Sequence, residues 1–155
     1  MQTTLQIENG RNNYKLSQAS LDNYLVLISR AAINDVARRA IPLIETALEA
    51  DGHSKIEDVL SELHSGEAQL WLVMEADDVK AIVVTVLNEH PNSKTCLLWL
   101  CAGKNRESWV HLIKNIETWA KLQGCDAMVM RGRPGWERVL KDYEKTKIIL
   151  QKKLR

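Results

Sequence analysis

Apolar residues in this chain form either short continuous runs or stretches repeating every three to four positions, and the order of the two predicts the elements. Tyr24-Leu-Val-Leu-Ile28 reads as a strand, with the end of an amphipathic helix begun at Ser20 as the alternative. Asn34 is expected to cap a helix carrying Val36, Ala37, Ala40, Ile41, Ile44, Ala47 and Leu48, which Pro42 kinks or restarts and Asp51-Gly52 ends. Ser54 precedes a short helix with Ile56, Val59, Leu60 and Leu63, stopped by Ser65-Gly66. Gln69 to Met74, Val79 to Leu87 and Thr95 to Cys101 then form a meander with turns at Asp77-Asp78 and at His90 to Lys94. Their lack of alternation implies cover on both faces. A helix with Trp109, Leu112, Ile113, Ile116, Trp119 and Ala120 on one face closes at Gly124. Ala127 to Met130 is a further buried strand, Pro134 opens a short helix with Trp136, Val139 and Leu140, and Lys147 to Leu154 reads as a final edge strand guarded by lysines.

Ahead of these elements, residues 1–22 are rich in Asn, Gln, Ser and Thr and read as a polar arm, which leaves 23–155 as a single domain. A chain of 155 residues with 45% hydrophobic content has enough material for one core. Its 21 basic and 20 acidic side chains give a net charge of +1, which selects neither nucleic acid nor an anionic membrane as partner. No apolar run has the length of a spanning helix and the N-terminus lacks a signal pattern, so a cytosolic location is expected.

Cys96, Cys101 and Cys125 lie in or beside apolar runs and read as buried thiols, since their number and spacing fit neither a disulfide framework nor a zinc knuckle. His53, His64, His90 and His111 lack metal-ligand spacing, so no metal is expected. With no Phe in the chain, the five tryptophans are expected to supply core bulk. Trp136, after a Pro-Gly turn, is the one candidate for a partner-binding contact.

Strands joined by a meander and then by crossing helices predict an α/β sheet of mixed, mostly antiparallel direction with helices on both faces. This order resembles the GCN5-related N-acetyltransferase (GNAT) fold. The likeness is sharpest at Gly66-Glu-Ala-Gln-Leu-Trp-Leu-Val73 and Gly132-Arg-Pro-Gly-Trp-Glu-Arg-Val-Leu-Lys-Asp-Tyr143. In length and phrasing the chain is similar to small acetyltransferase-like proteins of tailed bacteriophages. That resemblance implies acetyl-CoA as cofactor, held by a glycine-rich loop at a helix N-terminus. The matching segment is Cys101, Ala102, Gly103, Lys104, Asn105 and Arg106, followed by Glu107 and Ser108. Gly103 is kept, the second glycine is replaced, and Glu107 sets a carboxylate in the first helical turn, where it stabilises the helix and opposes a phosphate. Arg138 stands where the family's acidic tyrosine would be and cannot donate a proton near neutral pH. Tyr143 and Glu89 remain as the weak candidates for acid and base.

These departures favour a non-catalytic virion structural or assembly protein without cofactor, present in the host cytoplasm during assembly and then in the virion. Its expected partners are other protein subunits, its own copies among them. The alternative is an acetyl-CoA-dependent N-acetyltransferase acting on a protein or small-molecule amine.

Overall fold

The computed structural model describes residues 22–155, so the polar arm, apart from Asp22, lies outside the described residues. The strands are β1 (Asn23–Ile28), β2 (Ala68–Glu75), β3 (Asp78–His90), β4 (Ser93–Gly103) and β5 (Ala127–Met130). They form one sheet in the order β1-β2-β3-β4-β5, antiparallel except for the parallel β4–β5 pair. This is the predicted mixed sheet with helices on both faces.

On one face lie α1 (Ile33–Asp51) and α2 (Ile56–Ser65), whose Ile44, Leu48, Val59 and Leu63 pack on Leu70, Leu72, Ile82 and Leu100. On the other, α3 (Ile113–Leu122) presses Ile113, Ile116 and Ala120 onto Val73, Val83, Cys96 and Leu98. The short α4 (Gly135–Val139) comes after β5 on that side. Side chains of β2 and β3 are buried in both directions, which accounts for runs without alternation.

Several local expectations are corrected. α1 runs unbroken through Pro42 because that ring sits on the exposed side, where the carbonyl freed one turn earlier meets water. Asn34 does not cap α1; its Oδ1 lies 2.8 Å from His64 Nε2 and ties α1 to α2. α2 follows Ser54 as expected, with Lys55 at the cap position and the Asp58 carboxylate accepting the Lys55 amide at 2.8 Å. Gly52 and Gly66 end the two helices as expected, both in the left-handed conformation.

A three-part clamp starts β5. Asp126 N–H donates to the Lys94 carbonyl (2.7 Å), Asp126 Oδ2 accepts the Lys94 amide (3.0 Å), and Lys94 Nζ donates to the Gln123 carbonyl (2.8 Å).

The final strand is not formed. Residues 144–155 hold no sheet partner, and Ile148, Ile149, Leu150 and Leu154 are 76–90% exposed. The predicted pattern has strand character, but the sheet of its own chain ends at β5.

Candidate functional site

The sheet opens between β4 and β5. Pairing runs only from Thr95–Ala127 to Leu98–Met130, after which β4 continues to Gly103 alone. A bulge sits at that point: Val84 faces Leu100 while Thr85 faces Leu98, so Trp99 has no partner on β3. A bulged residue leaves its peptide groups outside the ladder, and such kinks recur beside active sites. The extra residue turns both Trp99 and Leu100 toward the α1–α2 face.

Past the opening, Gly103 packs on β3, where an added Cβ would stand 2.3 Å from the Ala81 Cβ. This glycine serves strand contact. The turn after it is not a bare helix N-terminus, because two 3-10 turns, Arg106–Ser108 and Val110–Leu112, precede α3. Asn105 is left-handed (φ 51°), and the amides of Ser108, Trp109 and Leu112 donate to Asn105, Arg106 and Trp109 carbonyls at 2.8, 3.1 and 2.9 Å. Trp109 is fully buried and its indole N–H donates to the Lys104 carbonyl at 3.1 Å. Lys104 and Glu107 are exposed, and Ala102 borders the opening half-buried.

Charge gathers where amides are engaged. The Arg106 guanidinium lies 4.7 Å from the Trp136 ring centroid, and its Nε is buried without a hydrogen-bond partner among the described residues. A Cβ at Gly135 would be 3.8 Å from a guanidinium nitrogen of both Arg106 and Arg138. The only ion pairs among the described residues are Lys80–Glu75 and Lys145–Glu137, so both guanidinium groups lack a carboxylate partner. Like charges held together in a partly desolvated place favour an anion between them. Trp136 itself is half-buried, folded over Gly132 and 6.4 Å from Trp109, so its ring is engaged within the chain.

On the α1–α2 side of the opening lies a cavity of about 190 Å³ lined by Asp51, Glu62, Val86, Leu97, Trp99 and Arg131. Asp51 Oδ2 accepts the amides of His53 (3.2 Å) and Ser54 (3.1 Å), which fixes that carboxylate. Glu62 has no side-chain partner among the described hydrogen bonds and ion pairs. A larger cavity of about 270 Å³ near Leu27, Ile33 and Leu63 is apolar, and its single charged group, Arg30, donates to the His64 carbonyl at 2.9 and 3.2 Å.

The sequence-derived candidates divide. Cys101 to Arg106 do flank the opening. Tyr143 lies on the α3 side, its hydroxyl donating to Glu117 Oε2 at 2.8 Å; burial and then that carboxylate hold the phenol above its ordinary range. Glu89 is not brought to the site. It pairs with Lys94 toward the far end of β3, exposed, three residues or roughly 10 Å along the strand at 3.3 Å per residue from Val86 of the cavity lining, of which it is not part. Burial pushes the Cys96 and Cys101 thiols up to about 12, so neither is a thiolate nucleophile near neutral pH. Asp51 and Glu62 were invisible to sequence reading, since only the packing of α1 and α2 on β4 places them together.

No protein-family model and no curated protein matches the chain. Solved structures do. An aminoglycoside acetyltransferase from an uncultured soil metagenomic sample, solved with sisomicin, superposes with a TM-score of 0.64 at 10% identity, over 86% of this chain and 97% of that one. AAC(6')-Iy bound to the bisubstrate analogue CoA-S-monomethyl-acetylneamine gives 0.64 at 13% identity, over 86% and 98%. A ribosomal-protein-alanine N-acetyltransferase from Brucella melitensis biovar Abortus 2308 gives 0.61 at 11%, over 84% and 99%. The chain has the GCN5-related N-acetyltransferase fold.

Proposed function

We propose that this protein is an N-acetyltransferase that takes acetyl-CoA as donor and passes the acetyl group directly to an amine. The observation that carries this reading is the pair of unpartnered guanidinium groups, Arg106 and Arg138, beside the opening of β4 from β5. They fit an anionic donor by charge, in place of the second glycine whose amides would otherwise hold phosphates. Acetyl-CoA, when bound, supplies an activated acetyl thioester.

The roles of this chain's own residues derive from position. Arg106 and Arg138, with Lys104 at the rim, hold the phosphates. The unpaired peptide of Trp99 offers hydrogen bonding at the bulge. The anchored Asp51 carboxylate attracts an ammonium group into the cavity, and Glu62 takes its proton so that the neutral amine is the nucleophile. A direct transfer suits the site because its thiols stay protonated.

Calorimetric titration with acetyl-CoA tests the reading: saturable binding is expected, weakened about tenfold or more in Arg106→Ala by the loss of a charge-assisted contact of roughly 1.5–3 kcal/mol. Free thiol should then appear with an amine acceptor and fall strongly in Glu62→Gln. The competing reading, a non-catalytic virion or assembly scaffold, requires no saturable heat up to millimolar donor, and that result would sink the enzyme.

A further inference from the structure

The net charge of +1 hides a division along the chain. Residues 1–130 carry 12 basic and 17 acidic side chains, whereas residues 131–155 carry 9 and 3, so the two parts stand at −5 and +6. The excess is densest in residues 145–155, where Lys145, Lys147, Lys152, Lys153 and Arg155 occur with no acidic residue among them. An exposed block of one sign acts on its surroundings over about one Debye length, roughly 8–10 Å, whatever the total charge of the molecule.

The same segment holds four large aliphatic side chains. Ile148, Ile149, Leu150 and Leu154 are 76–90% exposed, and every residue from 144 to 155 is exposed and outside helix or strand. A solitary Leu at the surface is unremarkable, but four such side chains within seven residues mark a contact surface. Among the described residues the segment's one ion pair to the body joins Lys145 Nζ to Glu137 Oε1 at 3.6 Å, which sets its start beside α4.

We infer that residues 145–155 attach this protein to the surface of a membrane rich in anionic phospholipid. Charge decides the sign of the partner, and the aliphatic groups decide its kind. Five cations call for phosphate or carboxylate groups opposite them, and a headgroup layer containing phosphatidylserine presents both. Four aliphatic side chains gain nothing from phosphates in water, but just beneath the headgroups they reach acyl chains. A nucleic acid offers the anions without the apolar layer, and the segment has no aromatic ring on which a base could stack. A spanning helix needs roughly 20 apolar residues, so a segment this short and this charged lies in the interface. The inference is independent of the enzymatic reading.

Sedimentation of the full chain with large vesicles tests it. Phosphatidylcholine vesicles containing about one third phosphatidylserine should carry the protein down at about 0.1 M salt, and vesicles of phosphatidylcholine alone should not. Lys152→Gln combined with Lys153→Gln should weaken the partition about 25-fold, at about fivefold for each lost charge. Leu150→Asp should weaken it by about tenfold or more, because it removes an aliphatic contact and adds an anion. Circular dichroism should be unchanged in both variants, since all three positions are exposed. Protein that stays in solution with the anionic vesicles overturns the proposal. So does equal uptake by both kinds of vesicle, or uptake that survives Leu150→Asp. Retention on polyuridylate with no uptake by vesicles overturns it as well, and would assign the segment to nucleic acid.

Discussion

The two sides of the β4 strand are built to different standards. Toward β3, pairing runs from Ala81–Gly103 to His90–Ser93 with one break, at Trp99, and α1 and α2 close an apolar core over it. Toward β5, pairing covers only Thr95–Leu98, and past Leu98 lie half-buried rings and guanidinium groups without counter-ions. The first region satisfies its groups internally and therefore resists change. The second leaves hydrogen-bonding and charge capacity open, and a ligand can use that capacity.

Substitutions separate the two. The largest effect is expected at Trp109, the buried ring that fixes the turn beneath the arginines; Trp109→Ala should lose about 4 kcal/mol of stability in urea denaturation, with donor binding lost through the collapsed turn. Leu72→Ala, in the closed core, should cost about 3 kcal/mol and leave donor affinity per folded molecule unchanged. A drop in affinity for that variant would break the distinction. Arg106→Ala should show the reverse, with binding weakened by about 2 kcal/mol and stability altered by less than about 0.5 kcal/mol. Tyr143→Phe removes one hydrogen bond to Glu117 and should cost about 1 kcal/mol, measured by thermal unfolding.

A further effect lies outside the usual pH range. The Cys101 thiol rises from 9.0 to about 12 in the folded chain, so its neutral form is favoured by folding. The unfolded chain ionises first as pH climbs. Stability from this group is therefore full below pH 9 and declines between 9 and 12, which denaturation at stepped alkaline pH would read. Cys101→Ser should flatten that decline.

Much of the fold was legible because it depends on local pattern. The strands β2, β3 and β4 and the helices α1, α2 and α3 obey runs and periodicities that neighbouring residues alone define. The turn from Lys104 to Leu112 was not, because Trp109 and Leu112 keep helical spacing while the backbone winds as 3-10. Gly103 looked like a phosphate glycine, but its reason is Ala81, distant in sequence and adjacent across the ladder. The tail misled differently: Ile148 to Leu154 has the composition of a strand, yet composition cannot supply a pairing partner, and the sheet ends at β5. Asp51 and Glu62 give no local signal at all, since a polar residue on a helix ordinarily faces water.

The clamp between Lys94 and Asp126 gives the opening a fulcrum. Three hydrogen bonds of 2.7 to 3.0 Å hold one end of β5, while nothing in the ladder holds the other beyond Met130. The clamp therefore sets the register from which the four pairs of β5 are counted, and the last of them, Leu98–Met130, fixes where the two strands part. The place of the gap beside Trp99 is decided at Asp126, on the opposite end of the strand from the gap itself.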